Sequence, residues 1–322
     1  MFEADSAYIG WMRNWFYNAA ANWAYIKNDC ETREVDSADL IRGSGKRGPA
    51  IILGSGISLE KGLDKLYSWK GALFGSASQF KTADCVDRPL DYMTIVDSGF
   101  ENVAAIDGPK QVSTLLCNPT VNPGVLDIWK GRRKYMLPIS TNEQFNLAVA
   151  AMYPWITGKA VNAGCVTNTM IMMAHSMRYA PLFMLGVDFS FGDDGKSRAQ
   201  NVFFKGQYQY NPMLPSYIDK DNPMVFKYKG RLTQRNQYFY MCDMYNLPLA
   251  MDDPYVIDCS DGIITELPKM DINDVYKNWE NGKVKGVPPN MSKKRREELR
   301  DKYTEEAQLL MDNDFKVEGI TE

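Results

Sequence analysis

Three places in the 322-residue chain combine side chains and backbone suited to holding an anion or moving a proton. The first is Gly54-Ser55-Gly56-Ile57-Ser58, inside "AIILGSGISLEKGL". Glycine has no Cβ, so such a turn can adopt positive φ and bring its backbone close to an anion. The free N–H groups and the positive dipole end of a following helix then attract phosphate. Ser58 can cap that helix or donate to a phosphate oxygen. The second place is "VNAGCVTNT", in which Asn162, Gly164, Cys165 and Thr167 make another glycine turn ahead of a Met-rich helix. The third is a pair of acids that each end an apolar run, Asp97 in "DYMTIVDSG" and Asp188 in "PLFMLGVDFSFG". Carboxylates at strand ends can bind ribose hydroxyls, a metal or a substrate amine, or cap the turn that follows.

The common fingerprints are absent. Leu59 stands where GxGxxG needs its third glycine, and in "IRGSGKRG" Leu40 and Arg47 occupy the first-glycine and Ser/Thr positions of a phosphate loop. The six cysteines are scattered without a CxxC pair, and the single histidine, His175, cannot complete a zinc set. That usage fits a reducing compartment. The N-terminal stretch carries acids early and sustains no apolar run, unlike a signal peptide. No run reaches the roughly 18 apolar residues of a membrane helix, so a cytoplasmic location is expected. With 37 basic against 40 acidic residues the net charge is −3, and no global field favours nucleic acid.

The elements that must position these residues alternate. Short apolar runs ("PAIILG", "GALFGSA", "YMTIVD", "STLLCN", "YMLPIS", "PLFMLGVDF", "YVIDCS") are separated by helical patterns. This rhythm predicts an α/β fold with a doubly wound, mainly parallel sheet, whose ligands sit beyond the carboxyl ends of the strands. Residues 1–45 read as an N-terminal helical segment, 46–275 as the α/β domain, and 276–322 as a linker and a charged C-terminal helix capped by Ser292. Residues 191–232, rich in Gly, Pro, Tyr and charge, read as a lid-like insertion. Its basic residues Lys227, Lys229, Arg231 and Arg235 can clamp a diphosphate, and Tyr208, Tyr210 and Tyr217 can stack on a sugar, pterin or base.

Taken in order, "AIILGSGISL", "PLDYMTIVDSG", "NAGCVTNTMIMMAHSMRYAPLFMLGVDFSFGDDGKSRA", "YKGRLTQRNQYF" and "VIDCSDGIITEL" resemble the MptE-like and Maf flagellin-glycosyltransferase family. The resemblance spans about Pro49 to Met270, with the long central segment the most specific part. It implies a Rossmann-like domain similar to that of bacterial sialyltransferases. It also implies that Gly54, Ser55, Gly56 and Ser58, together with Asn162, Gly164, Cys165 and Thr167, embrace a nucleotide. Thr233, Ser260, Asp261 and Gly262 would close the site, with Asp97 and Asp188 at its edge. Two positions depart from the pattern: Ile57 replaces a proline, and "DGKSRA" places Arg198 where relatives carry histidine. Arginine cannot accept a proton but stabilises phosphate charge, which leaves Asp188, Asp97 and Arg198 as the catalytic candidates, Asp188 first as base.

Two activities follow from the resemblance. One is glycosyl transfer from a CMP- or UDP-type nucleotide sugar to a small-molecule, glycan or protein hydroxyl, without an obligatory metal. The other is transfer of diphosphate from ATP to a pterin alcohol, with Mg²⁺ held by Asp97 and Asp188. A catalytically degenerate nucleotide-binding module is the third reading, and a homo-oligomer is compatible with all three.

Overall fold

The computed structural model describes residues 4–33, 47–107, 113–139, 142–156, 158–161, 165–196, 198–199, 222, 224–247 and 254–316. Asn162, Gly164, Tyr208, Tyr210, Tyr217 and most of the expected lid lie outside the described residues.

The chain opens with one long helix, α1 (Ala4–Arg33), followed by strand β1 (Ala50–Leu53) and a short helix, α2 (Glu60–Leu63). Strands and helices then alternate: β2 (Ala72–Ser76), α3 (Ala77–Cys85), β3 (Tyr92–Ile95), α4 (Glu101–Ile106), β4 (Thr114–Cys117), α5 (Pro123–Ile128) and β5 (Arg133–Tyr135). Next come β6 (Leu137–Ile139), α6 (Glu143–Met152), β7 (Lys159–Val161), α7 (Val166–Ser176) and β8 (Leu182–Leu185). The hairpin β9 (Val225–Tyr228) and β10 (Arg231–Gln234), α8 (Arg235–Asn246), β11 (Val256–Asp258), α9 (Ile272–Lys277), β12 (Trp279–Glu280), β13 (Lys283–Val284) and α10 (Lys293–Asp312) complete it.

Seven strands form one parallel sheet in the order β11-β8-β1-β2-β3-β4-β5. The runs "AIIL" and "LFML" are buried at every residue, the signature of parallel strands covered on both faces. Alternate residues feed two cores. Ile51, Leu53 and Phe183 pack with α1, α3, α5 and α6, whereas Ala50, Ile52 and Met184 pack with α7, α8 and α10. The fold is therefore the expected doubly wound, three-layer α/β arrangement. From β1 the chain winds outward to β5, then returns to the other side of β1 as β8, so the winding reverses between β1 and β8.

The expected strand "YMLPIS" divides in two. Tyr135 ends β5 in the main sheet, whereas β6 pairs with β7 in a separate two-stranded sheet. The C-terminal helix is more than a solvated face, because Leu299, Tyr303, Ala307 and Leu310 are buried along one stripe. Its start is capped as expected, with the Arg295 N–H donating to Ser292 Oγ at 3.2 Å. No helix among the described residues is long and apolar enough to cross a membrane.

Helix α1 is fastened to the edge strand β5 by a buried ion pair. Arg133 Nη1 donates to Asp29 Oδ2 at 2.8 Å and Tyr135 donates to the same oxygen at 2.7 Å. Asn18 and Asn22 tie α1 to the carbonyls of Pro119, Thr120 and Val121, just past β4. Replacing Asp29 with Ala leaves a buried guanidinium without its counter-charge, so stability should fall by about 3–5 kcal/mol. Urea unfolding measures this, and the double replacement Asp29→Leu with Arg133→Met should recover most of the loss.

Candidate functional site

The site is built where β1 and β8 end side by side. Leu53 and Leu185 are the last paired residues of the two strands. Beyond them the Gly54 N–H donates to the Leu185 carbonyl at 2.7 Å, and the Gly56 N–H to the Gly186 carbonyl at 2.8 Å. A Cβ on Gly54 would overlap the Gly186 carbonyl, and one on Gly56 would overlap the Asp188 carboxylate. Glycine is thus required by close approach of two strand ends. The turn leads into a single 3₁₀ turn, Ile57–Leu59, before α2 begins.

Asp188 caps that turn from the neighbouring strand. Its Oδ2 accepts the Ser58 N–H at 2.9 Å, and its Oδ1 accepts the Ser58 hydroxyl. The Ser58 proton is therefore spent on Asp188, and both oxygens of Asp188 are engaged. Asp188 is buried, and burial raises its pKa, while the two bonds from Ser58 and the charges of Arg231 and Lys61 pull the other way.

Strand β11 locks the other side of Asp188. Ser260 Oγ accepts the Val187 N–H at 2.9 Å, and the Ile263 N–H donates to the Asp188 carbonyl at 2.9 Å. A Cβ on Gly262 would overlap the Asp188 backbone. Thr233 Oγ1 donates to the Phe189 carbonyl at 2.7 Å, and Asp261 pairs with Lys61. Thr233, Ser260, Asp261 and Gly262 thus gather around Asp188.

The sequence reading overlooked Asp258, the buried last residue of β11. Its Oδ1 accepts the Ser260 N–H at 2.9 Å and its Oδ2 lies 3.2 Å from Lys269 Nζ. Burial pushes its carboxyl up to about 6. The nearby Asp188 adds to that shift, against the pull of Ser260 and Lys269. The signal was present: "YVID" ends an apolar run on an acid, as "MTIVD" does.

On the other flank, the Ala199 N–H donates to the Ser55 carbonyl at 3.0 Å, which sets Arg198 beside the glycine turn. Burial pulls the Arg198 guanidinium down to about 10, still a cation at neutral pH. Gln79, at the start of α3, donates from Nε2 to Ser55 Oγ at 2.5 Å. Of the four expected clamp residues, Arg231 acts on Asp188, while Lys229 bonds Thr265 and Tyr303 and Arg235 bonds Asp314. Lys227 is exposed.

Asp97 lies apart. It is exposed at the end of β3, with Oδ1 accepting the Gly99 N–H at 3.0 Å. The order β8-β1-β2-β3 puts three strand steps, about 14 Å, between the ends that carry Asp188 and Asp97. Two aspartates so placed do not share one Mg²⁺, whose oxygen ligands lie about 2 Å from the ion. Among the described residues no group of three or more His, Cys, Asp and Glu side chains could hold a metal.

Cys165 and Thr167 begin α7, which packs across β1, β2, β3 and β8 and turns its N-terminus to the same edge of the sheet. Burial pushes the Cys165 thiol up to about 12, so it is a neutral group there. His175 falls in the last turn of α7, about 13 Å of helical rise from Val166. It therefore belongs to the opposite edge. A cavity of about 40 Å³ lined by Ile171, Met244, Leu267 and Arg296 also reaches the opposite end of the sheet, at Val256, the first residue of β11.

A parallel three-layer sheet with a glycine turn and convergent polar groups at its switch point defines a Rossmann-like α/β fold. The chain belongs to the MptE-like family: the family model described as "6-hydroxymethylpterin diphosphokinase MptE-like" matches residues 23–194, more than half of the chain. Among solved structures it is similar to a Maf glycosyltransferase from Magnetospirillum magneticum AMB-1, with a TM-score of 0.52 and 14% identity, covering 87% of this chain and 43% of that one. It thus spans less than half the length of that solved chain, and the likeness is one of fold. No curated protein matches the chain.

Asp258 carries a pH signature. Its folded carboxyl titrates near 6 against an ordinary value of 3.8. The protonated form therefore supports the fold fully below pH 3.8, and that support is lost as pH rises through about 6. The loss is about 3 kcal/mol. Asp258→Asn should accordingly gain about that much stability relative to the unsubstituted protein between pH 4 and pH 7. Urea unfolding at both pH values reads the difference, and a gap independent of pH would contradict the assignment.

Proposed function

We propose that the crevice at the ends of β1 and β8 binds a nucleotide, and that the protein transfers a glycosyl group from a CMP- or UDP-type nucleotide sugar to an acceptor hydroxyl. The observation that carries this reading is the glycine turn itself. Gly54–Ser58 is capped by Asp188, whose charge Arg231 balances, and Arg198 precedes Ala199, whose N–H bonds the Ser55 carbonyl. Guanidinium groups near a strand-end turn suit a phosphate group.

In that reaction the bond from the anomeric carbon to the phosphate oxygen breaks, and its electron pair leaves with the phosphate. A bond to the acceptor oxygen forms, and the acceptor proton must go to a base. Arg198 and Arg231 suit the growing charge on the leaving phosphate. Asp188, with both oxygens engaged by Ser58, acts as a brace. Asp97, two strand steps from β1 at the same edge, is too far from the turn to take that proton directly, so the proton passes to water or to a group of the acceptor.

The name of the family model favours a second reading, transfer of diphosphate from ATP to a pterin alcohol. That chemistry needs Mg²⁺ between phosphate oxygens and acids. The separation of Asp97 from Asp188 does not suit it, which is why glycosyl transfer is preferred.

Thermal unfolding in the presence of CMP, CDP, UDP, ADP and ATP, with and without Mg²⁺, separates the readings. A ligand at about 100 times its Kd adds on the order of 2.7 kcal/mol of stability. A metal-independent rise in Tm with a cytidine or uridine nucleotide is expected. A rise that requires ATP and Mg²⁺ would move the assignment to diphosphate transfer, and no rise with any nucleotide would leave a degenerate module. With a donor in hand, Arg198→Ala should lower kcat by about 100-fold or more, as loss of a group that stabilises the leaving phosphate.

A further inference from the structure

The two serines of the glycine turn have different hydrogen-bond duties, and the difference is set from outside the turn. Ser58 gives its proton to Asp188. Ser55 receives a proton from Gln79 Nε2 at 2.5 Å. Which end of the Gln79 amide faces Ser55 is fixed by a backbone donor. The Ser76 N–H points at Gln79 Oε1 at 2.8 Å, and the Ser76 hydroxyl adds a second bond to that oxygen, also at 2.8 Å. A backbone N–H can only donate, so Oε1 must face Ser76 and the NH₂ group must face Ser55. Gln79 is 1% exposed and forms the capping box that starts α3, so it has no room to swing away.

With Gln79 donating to one lone pair of its oxygen, Ser55 keeps its own proton to offer. Among the described residues that proton has no acceptor, and Ser55 is half-buried, with its carbonyl accepting the Ala199 N–H. We propose that Gln79 is a positioning residue that turns the Ser55 proton away from itself and so makes Ser55 a donor to a phosphate or sugar oxygen of the bound nucleotide. This rests on the nucleotide reading of the crevice. It also distinguishes the serines: Ser55 recognises ligand, and Ser58 holds the turn.

Gln79→Glu tests the polarity without changing the shape. As a carboxylate, residue 79 has only acceptor oxygens, and it draws the Ser55 proton back from the ligand. As a carboxylic acid it accepts from Ser76 through one oxygen and donates to Ser55 through the other, reproducing glutamine. Calorimetric titration with CMP, UDP and ATP plus Mg²⁺ should show Gln79→Glu weakened about tenfold or more at pH 8, the scale of one charge-assisted hydrogen bond. Most of that loss should return at pH 5 relative to the unsubstituted protein. Ser55→Ala should be weakened similarly, and adding Gln79→Glu to it should produce no comparable recovery at low pH.

If the unsubstituted protein binds and Gln79→Glu binds equally well, the positioning role is wrong. The same holds if the loss and its recovery are identical with and without the Ser55 hydroxyl, since direct repulsion of the nucleotide would act in both backgrounds. Absence of binding by the unsubstituted protein to every one of these nucleotides would overturn the nucleotide reading, and the role of Gln79 with it. Melting of each variant by circular dichroism confirms that the folded protein is being compared.

Discussion

The arrangement of the carboxyl edge depends on one buried carboxylate. Asp188 sits where water cannot solvate it, and a charge in such a place must be hydrogen-bonded or neutralised. Both of its oxygens turn to Ser58, one to the backbone and one to the hydroxyl. That requirement draws the turn after β1 over the end of β8. It also accounts for the glycines, because the two strand ends come so close that a Cβ at residue 54 or 56 has nowhere to go. The close junction of the two strand ends is thus a consequence of satisfying a single acid at the point where the winding reverses.

The part of the chain that the family model matches ends at residue 194, yet residues further along the chain hold the strand end at Val187–Phe189. Ser260 holds the Val187 N–H, Gly262 leaves space for the Asp188 backbone, and Thr233 holds the Phe189 carbonyl. The first half supplies the strand ends, and the second half holds them in place. Beyond residue 194 the polar side chains work mostly through backbone groups, so many side chains could flank them without disturbing the geometry.

Strand runs and glycine turns were legible in the sequence because buried parallel strands are apolar throughout and helix starts carry small polar residues. The site was legible in part. Asp188 at a strand end was visible, but its partner was not, because Ser58 is 130 residues away and periodicity carries no information on such pairs. Nothing in "KGRRKY" signals that Arg133 is buried against Asp29 of α1 and forms part of β5. Gln79 passed unnoticed for the same reason: a glutamine three residues into a helix reads as a cap, and only the fold reveals that its other end reaches the glycine turn.

The C-terminal helix belongs to the same physical unit as the crevice. Glu306 Oε1 accepts hydrogen bonds from Tyr228 of β9 and Tyr238 of α8, each at 2.7 Å, and Tyr303 stacks on Tyr245 with ring centroids 4.4 Å apart. These contacts fix the hairpin from behind. The hairpin turns at Lys229-Gly230, both with positive φ, and sends β10 back along β9 in strict register. The Leu232 carbonyl accepts the Phe191 N–H, Thr233 bonds Phe189, and Phe189 adjoins Asp188. Every link in this chain is a hydrogen bond or a packed ring, so the position of Thr233 is set as much by α10 as by β10 itself. A charged helix that composition alone marks as a solvated tail therefore serves as the outer support of the strand end on which the glycine turn depends.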